Sequence, residues 1–150
     1  MKFTDGFWLV RKGLKTLHPA EAYDVTDQDG TLVVHAPVKK VQGRGDMLDS
    51  ALLTIEVSAP MPDVLKVRLT HFEGGRPRTP NFVLDGPGVS GTAAGHRGKV
   101  SLTDDAATIT SGRLQARFRR GEEPWRLDYL GDGQPLTASE TKGMGHIEAD

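Results

Sequence analysis

The chain has 150 residues and no cysteine, so disulfides, thiol nucleophiles and cysteine-based zinc sites are excluded. Its 19 Lys and Arg residues nearly balance its 20 Asp and Glu residues, which leaves a formal net charge of −1. Because nucleic acids and acidic membranes require a concentrated basic surface, we expect neither as a partner. The first residues lack a signal-peptide apolar run and no segment is apolar enough to span a membrane, so we expect a soluble, cytoplasmic protein.

Alternation of apolar and polar residues is the main pattern along the chain. Leu53, Ile55 and Val57, for example, alternate with polar residues, which places one set of side chains toward a core and the other in solvent. The segments that predict strands in this way are 8–11, 22–26, 32–36, 53–58, 65–70, 82–84, 99–103, 107–110, 114–119 and 125–129.

Turn dipeptides separate several of these segments. Asp29-Gly30, Asp104-Asp105 and Asp132-Gly133 each lie between strand-like residues, and Asp-Gly readily adopts the positive φ angles of tight hairpins. No amphipathic helical stripe of useful length accompanies them. Many short strands at this spacing predict an all-β fold, an antiparallel β-sandwich over residues 1–136.

Two regions depart from the strand pattern. Residues 73–98 are rich in glycine and proline, so we expect a long mobile loop there, or two loops around one edge strand at 82–84. We expect proteases to cut this internal segment first. Residues 137–150 are polar, so we expect a linker or the truncated start of another strand, with the C-terminal edge of the sandwich incomplete.

Motifs that carry chemistry are few. The five histidines have no metal-ligand spacing with one another or with a carboxylate, so we expect no metal site. A glycine-rich stretch at 86–91 lacks the lysine and the helix of a phosphate loop, and no G-x-S-x-G nucleophile elbow is present. Most carboxylates lie in turns, where they cap the backbone. Two carboxylates could in principle act as a catalytic pair, but the sequence alone nominates none, and we expect no cofactor.

A row of arginines and one tryptophan each have more than one interpretation. Arg113, Arg117 and Arg119 alternate with apolar residues, and Arg120 follows; this pattern predicts the solvated face of a strand rather than an anion site. Trp125 shares its side of a strand with Leu127 and Tyr129, which favours core packing.

Phe7 and Trp8 are the candidate interface or sugar-stacking residues. Adjacent strand residues point to opposite faces, so one of the two rings should face outward. An exposed ring either stacks on a sugar or packs against a neighbouring domain or subunit, while covering loops would hide both rings.

Several segments together resemble the N-terminal region of bacterial α-xylosidases of glycoside hydrolase family 31. They are, in single letters, KFTDGFWLV at 2–10, LHPAEAYDV at 17–25, VRLTHFEG at 67–74, SGRLQARF at 111–118 and WRLDYL at 125–130. The similarity is collinear over essentially the whole chain and is weakest across the glycine-rich stretch 86–98.

The resemblance implies a galactose-mutarotase-like β-sandwich that precedes a catalytic (β/α)₈ barrel carrying both catalytic aspartates. No part of this chain matches the family's Lys-x-Asp-Phe-Gly-Glu nucleophile motif, so no catalytic residue is transferred. The expected role is a non-catalytic segment that packs on the barrel of its parent chain, shapes the active-site mouth or makes homo-oligomer contacts. The alternatives are a free-standing carbohydrate-binding module that binds an oligosaccharide through Phe7 or Trp8, and a purely structural interaction domain.

Overall fold

The structure, a computed structural model, describes residues 10, 12–48, 50–71, 96–120 and 124–149. Strands account for nearly all of its regular structure, together with one 3₁₀ turn, η1 (Arg44–Met47). The strands are β1 (Leu14–Leu17), β2 (Asp24–Gln28), β3 (Thr31–Pro37), β4 (Leu52–Met61), β5 (Val64–His71), β6 (Lys99–Leu102), β7 (Ala106–Ser111), β8 (Leu114–Arg119), β9 (Arg126–Gly131), β10 (Gln134–Glu140) and β11 (His146–Ala149).

The strands form two main antiparallel sheets and one ribbon. The four-stranded sheet has the order β2-β3-β4-β5, and the five-stranded sheet has the order β10-β9-β8-β7-β6. β1 pairs with β11 in a separate antiparallel ribbon. Consecutive strands are neighbours throughout both sheets, which is the arrangement that short hairpin connections produce. The predicted antiparallel β-sandwich is confirmed.

Two predicted hairpin turns have the backbone geometry that their sequences require. Asp29 and Gly30 have φ angles of 56° and 81°, and Asp132 and Gly133 have φ angles of 50° and 76°. Two consecutive positive φ angles define the type I′ turn, whose twist matches that of the flanking strands. The first turn joins β2 to β3, and the second joins β9 to β10.

The core lies between the two sheets. Alternate residues of β3, β4, β7, β8 and β9 point into it, as the period of two predicts. Trp125 is only 2% exposed, and its ring lies 5.2 Å from that of Phe118 at an angle of 56°. The predicted core position of Trp125 is therefore confirmed. Other fully buried core members are Leu32, Val34, Leu53, Ile55, Val57, Ile109 and Leu127.

The C-terminal residues, for which we expected a linker or the truncated start of another strand, include strand residues. Residues 137–140 continue β10, and β11 then pairs with β1 over Leu14–Leu17. The alternation is weak here because β10 is an edge strand with most of its residues exposed, so no apolar face marks it. The domain division at residue 136 stays a prediction. Strand candidate 82–84, most of 8–11 and most of the loop predicted at 73–98 lie outside the described residues.

Candidate binding groove

Phe7 and Trp8 lie outside the residues that the structure describes, so their predicted role as an interface or stacking pair stays a prediction. The candidate site in the described part of the chain consists of other residues. In the part of the chain that the structure describes, no group of three or more His, Asp or Glu side chains is arranged to hold a metal ion.

One member of the arginine row, Arg117, forms an ion-pair network with Arg126 and two carboxylates on the outer face of the five-stranded sheet. Arg117 Nη2 donates to Asp128 Oδ2 at 3.1 Å, and Arg126 Nε donates to Asp128 Oδ1 at 2.6 Å. Arg126 Nη1 also donates to Glu140 Oε1 at 2.5 Å. Asp128 and Glu140 therefore offset the charges of Arg117 and Arg126, which fits a solvated strand face rather than an anion site.

Asp128 is the most constrained carboxylate of this network. It is only 6% exposed, and burial by itself would raise its pKa. The hydrogen bonds and positive charges of Arg126 and Arg117 outweigh burial and hold the pKa of Asp128 below its usual value. The ionised carboxylate anchors the side chains of Arg117 and Arg126.

An open groove of the described structure lies beside the start of β2. It is lined by Tyr23, Val41, Gln42, Gly43 and Arg44 and has a volume of about 450 Å³ that is largely continuous with solvent. Tyr23 is 53% exposed, although its backbone N–H donates to the carbonyl of His35 at 3.1 Å. The backbone of Tyr23 is thus tied to β3, while its side chain lines the groove and stays about half exposed.

Two carboxylates fix the loop that forms the other wall. The buried Glu21 accepts a 2.8 Å hydrogen bond through Oε1 from the backbone N–H of Val41. Asp46 Oδ2 accepts from the N–H groups of Gln42 and Gly43 at 2.9 and 2.8 Å. These two backbone hydrogen bonds lower the pKa of Asp46, so the carboxylate stays ionised at neutral pH.

Sequence reasoning did not single out Tyr23. It pairs by alternation with the buried Val25, so the pattern places both residues on the core side. Tyr23 instead precedes the first residue of β2, an edge strand, and the core does not extend far enough to cover it. The hydrogen bond from Val41 to Glu21 joins residues 20 positions apart, and no local sequence motif predicts such a contact.

A histidine pair lies at the opposite end of the four-stranded sheet, where the ribbon meets β5. The rings of His71 and His146 stack with their centroids 5.2 Å apart at an angle of 27°. Glu148 lies 3.8 Å from His71 and 3.5 Å from Lys15, measured between the charged atoms. This cluster attaches the ribbon to the sheet edge.

The alignments with known proteins cover nearly the whole chain. No family model matches it. An α-xylosidase of Lactiplantibacillus pentosus is 30% identical over 149 residues, which is 98% of this chain and 18% of that protein. An α-xylosidase of Emericella nidulans is 31% identical over 155 residues, which is 98% of this chain and 19% of that protein. The predicted resemblance to α-xylosidases is confirmed, and the chain spans about a fifth of the length of the curated relatives it matches.

Proposed function

We propose that this chain, a relative of one segment of the α-xylosidases, is a non-catalytic β-sandwich segment of an α-xylosidase-like glycoside hydrolase. Its parent would release α-linked xylose from xylo-oligosaccharides. The segment would pack against the catalytic barrel of that parent and shape the mouth of the active site or the contacts between subunits.

The observation that carries the proposal is the unequal coverage of the alignments. They include 98% of this chain but only 18% and 19% of the two relatives. A stretch of that size corresponds to one sandwich, while the activity in the relatives' names belongs to proteins about five times as long. No membrane-spanning helix is found among the described residues.

Three carboxylates of the described structure have partners that fit a non-catalytic role. A retaining glycosidase needs two carboxyl groups about 5–5.5 Å apart, one of them with a raised pKa so that it can donate a proton. Asp46 and Asp128 both have lowered pKa values, because backbone or arginine groups donate hydrogen bonds to them. The buried Glu21 is occupied by the backbone of Val41. All three have structural partners.

The outer face of the ribbon is the surface that we propose for contact with the barrel. Leu14 and Ile147 project from this face, and Ile147 is 61% exposed. Leu17 and His146 occupy the opposite face, so the ribbon directs one apolar side outward while its other side is anchored. Burying an exposed aliphatic side chain of this size contributes about 1.5–3 kcal/mol to docking.

A chimera tests the proposal. This chain would replace the matched 18% of the Lactiplantibacillus pentosus α-xylosidase, and a second variant would lack that segment altogether. We expect the chimera to hydrolyse p-nitrophenyl α-xyloside and the deletion variant to be insoluble or inactive, because the barrel loses its supporting sandwich. An inactive chimera, or a deletion variant with the stability and activity of the intact enzyme, would contradict the proposal.

The second candidate function is a free-standing carbohydrate-binding module, and the exposed Tyr23 beside the groove favours it. A module of this kind binds glycans without any barrel. Glycan-array binding by the isolated chain, combined with an inactive chimera, would favour this candidate over the first.

A further inference from the structure

We infer that the groove between Tyr23 and the loop 41–44 binds a pyranose ring of a neutral oligosaccharide. Small-ligand sites combine an apolar surface with a few positioned polar groups, and this groove has both. The Tyr23 ring provides an apolar platform at one wall. Gln42 and Arg44 provide amide and guanidinium groups at the other.

The chemistry of the lining matches the two kinds of surface on a sugar. A pyranose has a face of C–H groups, which packs on an aromatic ring, and a rim of hydroxyl groups, which accept and donate hydrogen bonds. Within the described residues, no carboxylate lies within ion-pairing distance of Arg44, so none of those residues competes with a ligand for its guanidinium donors.

The groove is held in shape before any ligand binds. Glu21 fixes Val41, and Asp46 fixes Gln42 and Gly43, so three successive backbone N–H groups of the loop are already bonded. A loop with this bracing loses less conformational entropy on binding than a free loop does.

The same hydrogen bonds argue against an anionic ligand. The N–H groups of Gln42 and Gly43 are those that a phosphate or carboxylate would use, and Asp46 occupies both. The negative charge of Asp46 also opposes a second anion beside Arg44. A neutral ligand is therefore the better match.

Several neutral ligands have one apolar face. We infer a sugar among them because the proposed function places this chain in an enzyme that acts on oligosaccharides. An oligosaccharide bound here would lie on the sandwich, so the segment would hold part of the polymer whose end enters the barrel. The class of ligand is a xylose-bearing or glucose-based neutral oligosaccharide.

Nuclear magnetic resonance titration of the purified 150-residue chain tests the inference. The probes are the disaccharide α-xylosyl-(1→6)-glucose, cellotetraose and inorganic phosphate. We expect one of the two sugars to shift the amide signals of Val41, Gln42 and Gly43 with a roughly millimolar dissociation constant, and phosphate to leave them unchanged.

Three variants make the result specific to the groove. Tyr23→Ala should weaken sugar binding about tenfold or more, whereas Tyr23→Phe should retain it because the ring remains. Leu102→Ala, which removes an exposed apolar side chain on β6, is the matched control and should bind like the unmodified chain. Melting temperatures of all variants show that each one folds.

The outcomes of this titration can be distinguished from those of the chimera experiment. If neither sugar binds up to about 20 mM, or if binding is equal for Tyr23→Ala and the unmodified chain, the inference is overturned. Shifts caused by phosphate and abolished by Arg44→Ala alone would also overturn it, in favour of an anion site. An active chimera together with no sugar binding removes this site and leaves the proposed function intact.

Discussion

The carboxylate of Asp63, in the turn between β4 and β5, accepts a 2.6 Å hydrogen bond from the backbone N–H of Arg113, in the turn between β7 and β8. The two turns belong to different sheets, so this contact joins the four-stranded sheet to the five-stranded sheet at one end of the sandwich. The buried Ser111 adds a second link, because its hydroxyl donates to the Met61 carbonyl at 2.8 Å.

Gly112 tests this junction. Its φ of 57° is strained for alanine, and an added Cβ would collide with the Asp63 carboxylate. Gly133 has a φ of 76° but open space around it, so Gly133→Ala carries the backbone strain alone. We expect Gly112→Ala to lower the free energy of unfolding by about 1–3 kcal/mol more than Gly133→Ala, measured by urea denaturation. Equal losses would show that the turns do not depend on this contact.

Asp128 gives a prediction with a defined pH dependence. Its pKa is lowered in the folded state, so its contribution to stability is present above the unfolded value of about 3.9 and is lost as the pH falls through the lower folded value. Asp128→Asn should cost about 1–2 kcal/mol at pH 7, since its arginine partners are partly exposed to solvent. The difference from the unmodified chain should shrink below about pH 4 in thermal melts.

The control for Asp128 is Glu56→Gln. Glu56 pairs with Arg68 at 3.7 Å on the outer face of the four-stranded sheet, and both side chains are exposed. Its loss should leave the melting temperature nearly unchanged. An Asp128→Asn variant as stable at pH 7 as Glu56→Gln would show that the network adds nothing to stability.

Trp125 should behave as a core residue. Replacement by alanine opens a cavity beside Phe118 and should lower the free energy of unfolding by about 3–5 kcal/mol. Leu136→Ala is the comparison, because that side chain is exposed on β10 and its loss should cost less than about 0.5 kcal/mol. Similar denaturation midpoints for the two variants would be inconsistent with the packing described.

Trp8 should behave in the opposite way if the Phe7-Trp8 pair is an association surface. Trp8→Ala should then weaken self-association or sugar binding while changing the melting temperature little, because a docking side chain contributes to the bound state alone. Sedimentation and thermal melts on the same sample measure both quantities. A large drop in melting temperature with unchanged association would assign Trp8 to the core instead.

The sequence predicted the sheets better than the site. β4 and β8 were predicted because each buries one face, so Ile55 and Phe118 stand out against their polar neighbours. β11 has no such face along its length: Ile147 is exposed and Glu148 is paired with Lys15, so its four residues look like a polar tail.

The groove could not be predicted for a different reason. Its shape depends on the hydrogen bond between Val41 and Glu21, which exists only after β3 has brought the two loops together. The exposure of Tyr23 depends on where the core ends, which no alternation pattern encodes. In the sequence, Asp128 likewise looks like an ordinary strand carboxylate. Only the pairing of β8 with β9 brings Arg117 opposite it.

The central claim, that the chain is a non-catalytic segment of a glycoside hydrolase, is tested most directly by an assay on the chain itself. The purified 150-residue chain is incubated with p-nitrophenyl α-xyloside, and activity is followed across a gel-filtration profile. We predict no release of nitrophenol above a buffer blank in the fractions that contain the chain. Turnover that follows the protein peak and survives a second purification would contradict the claim.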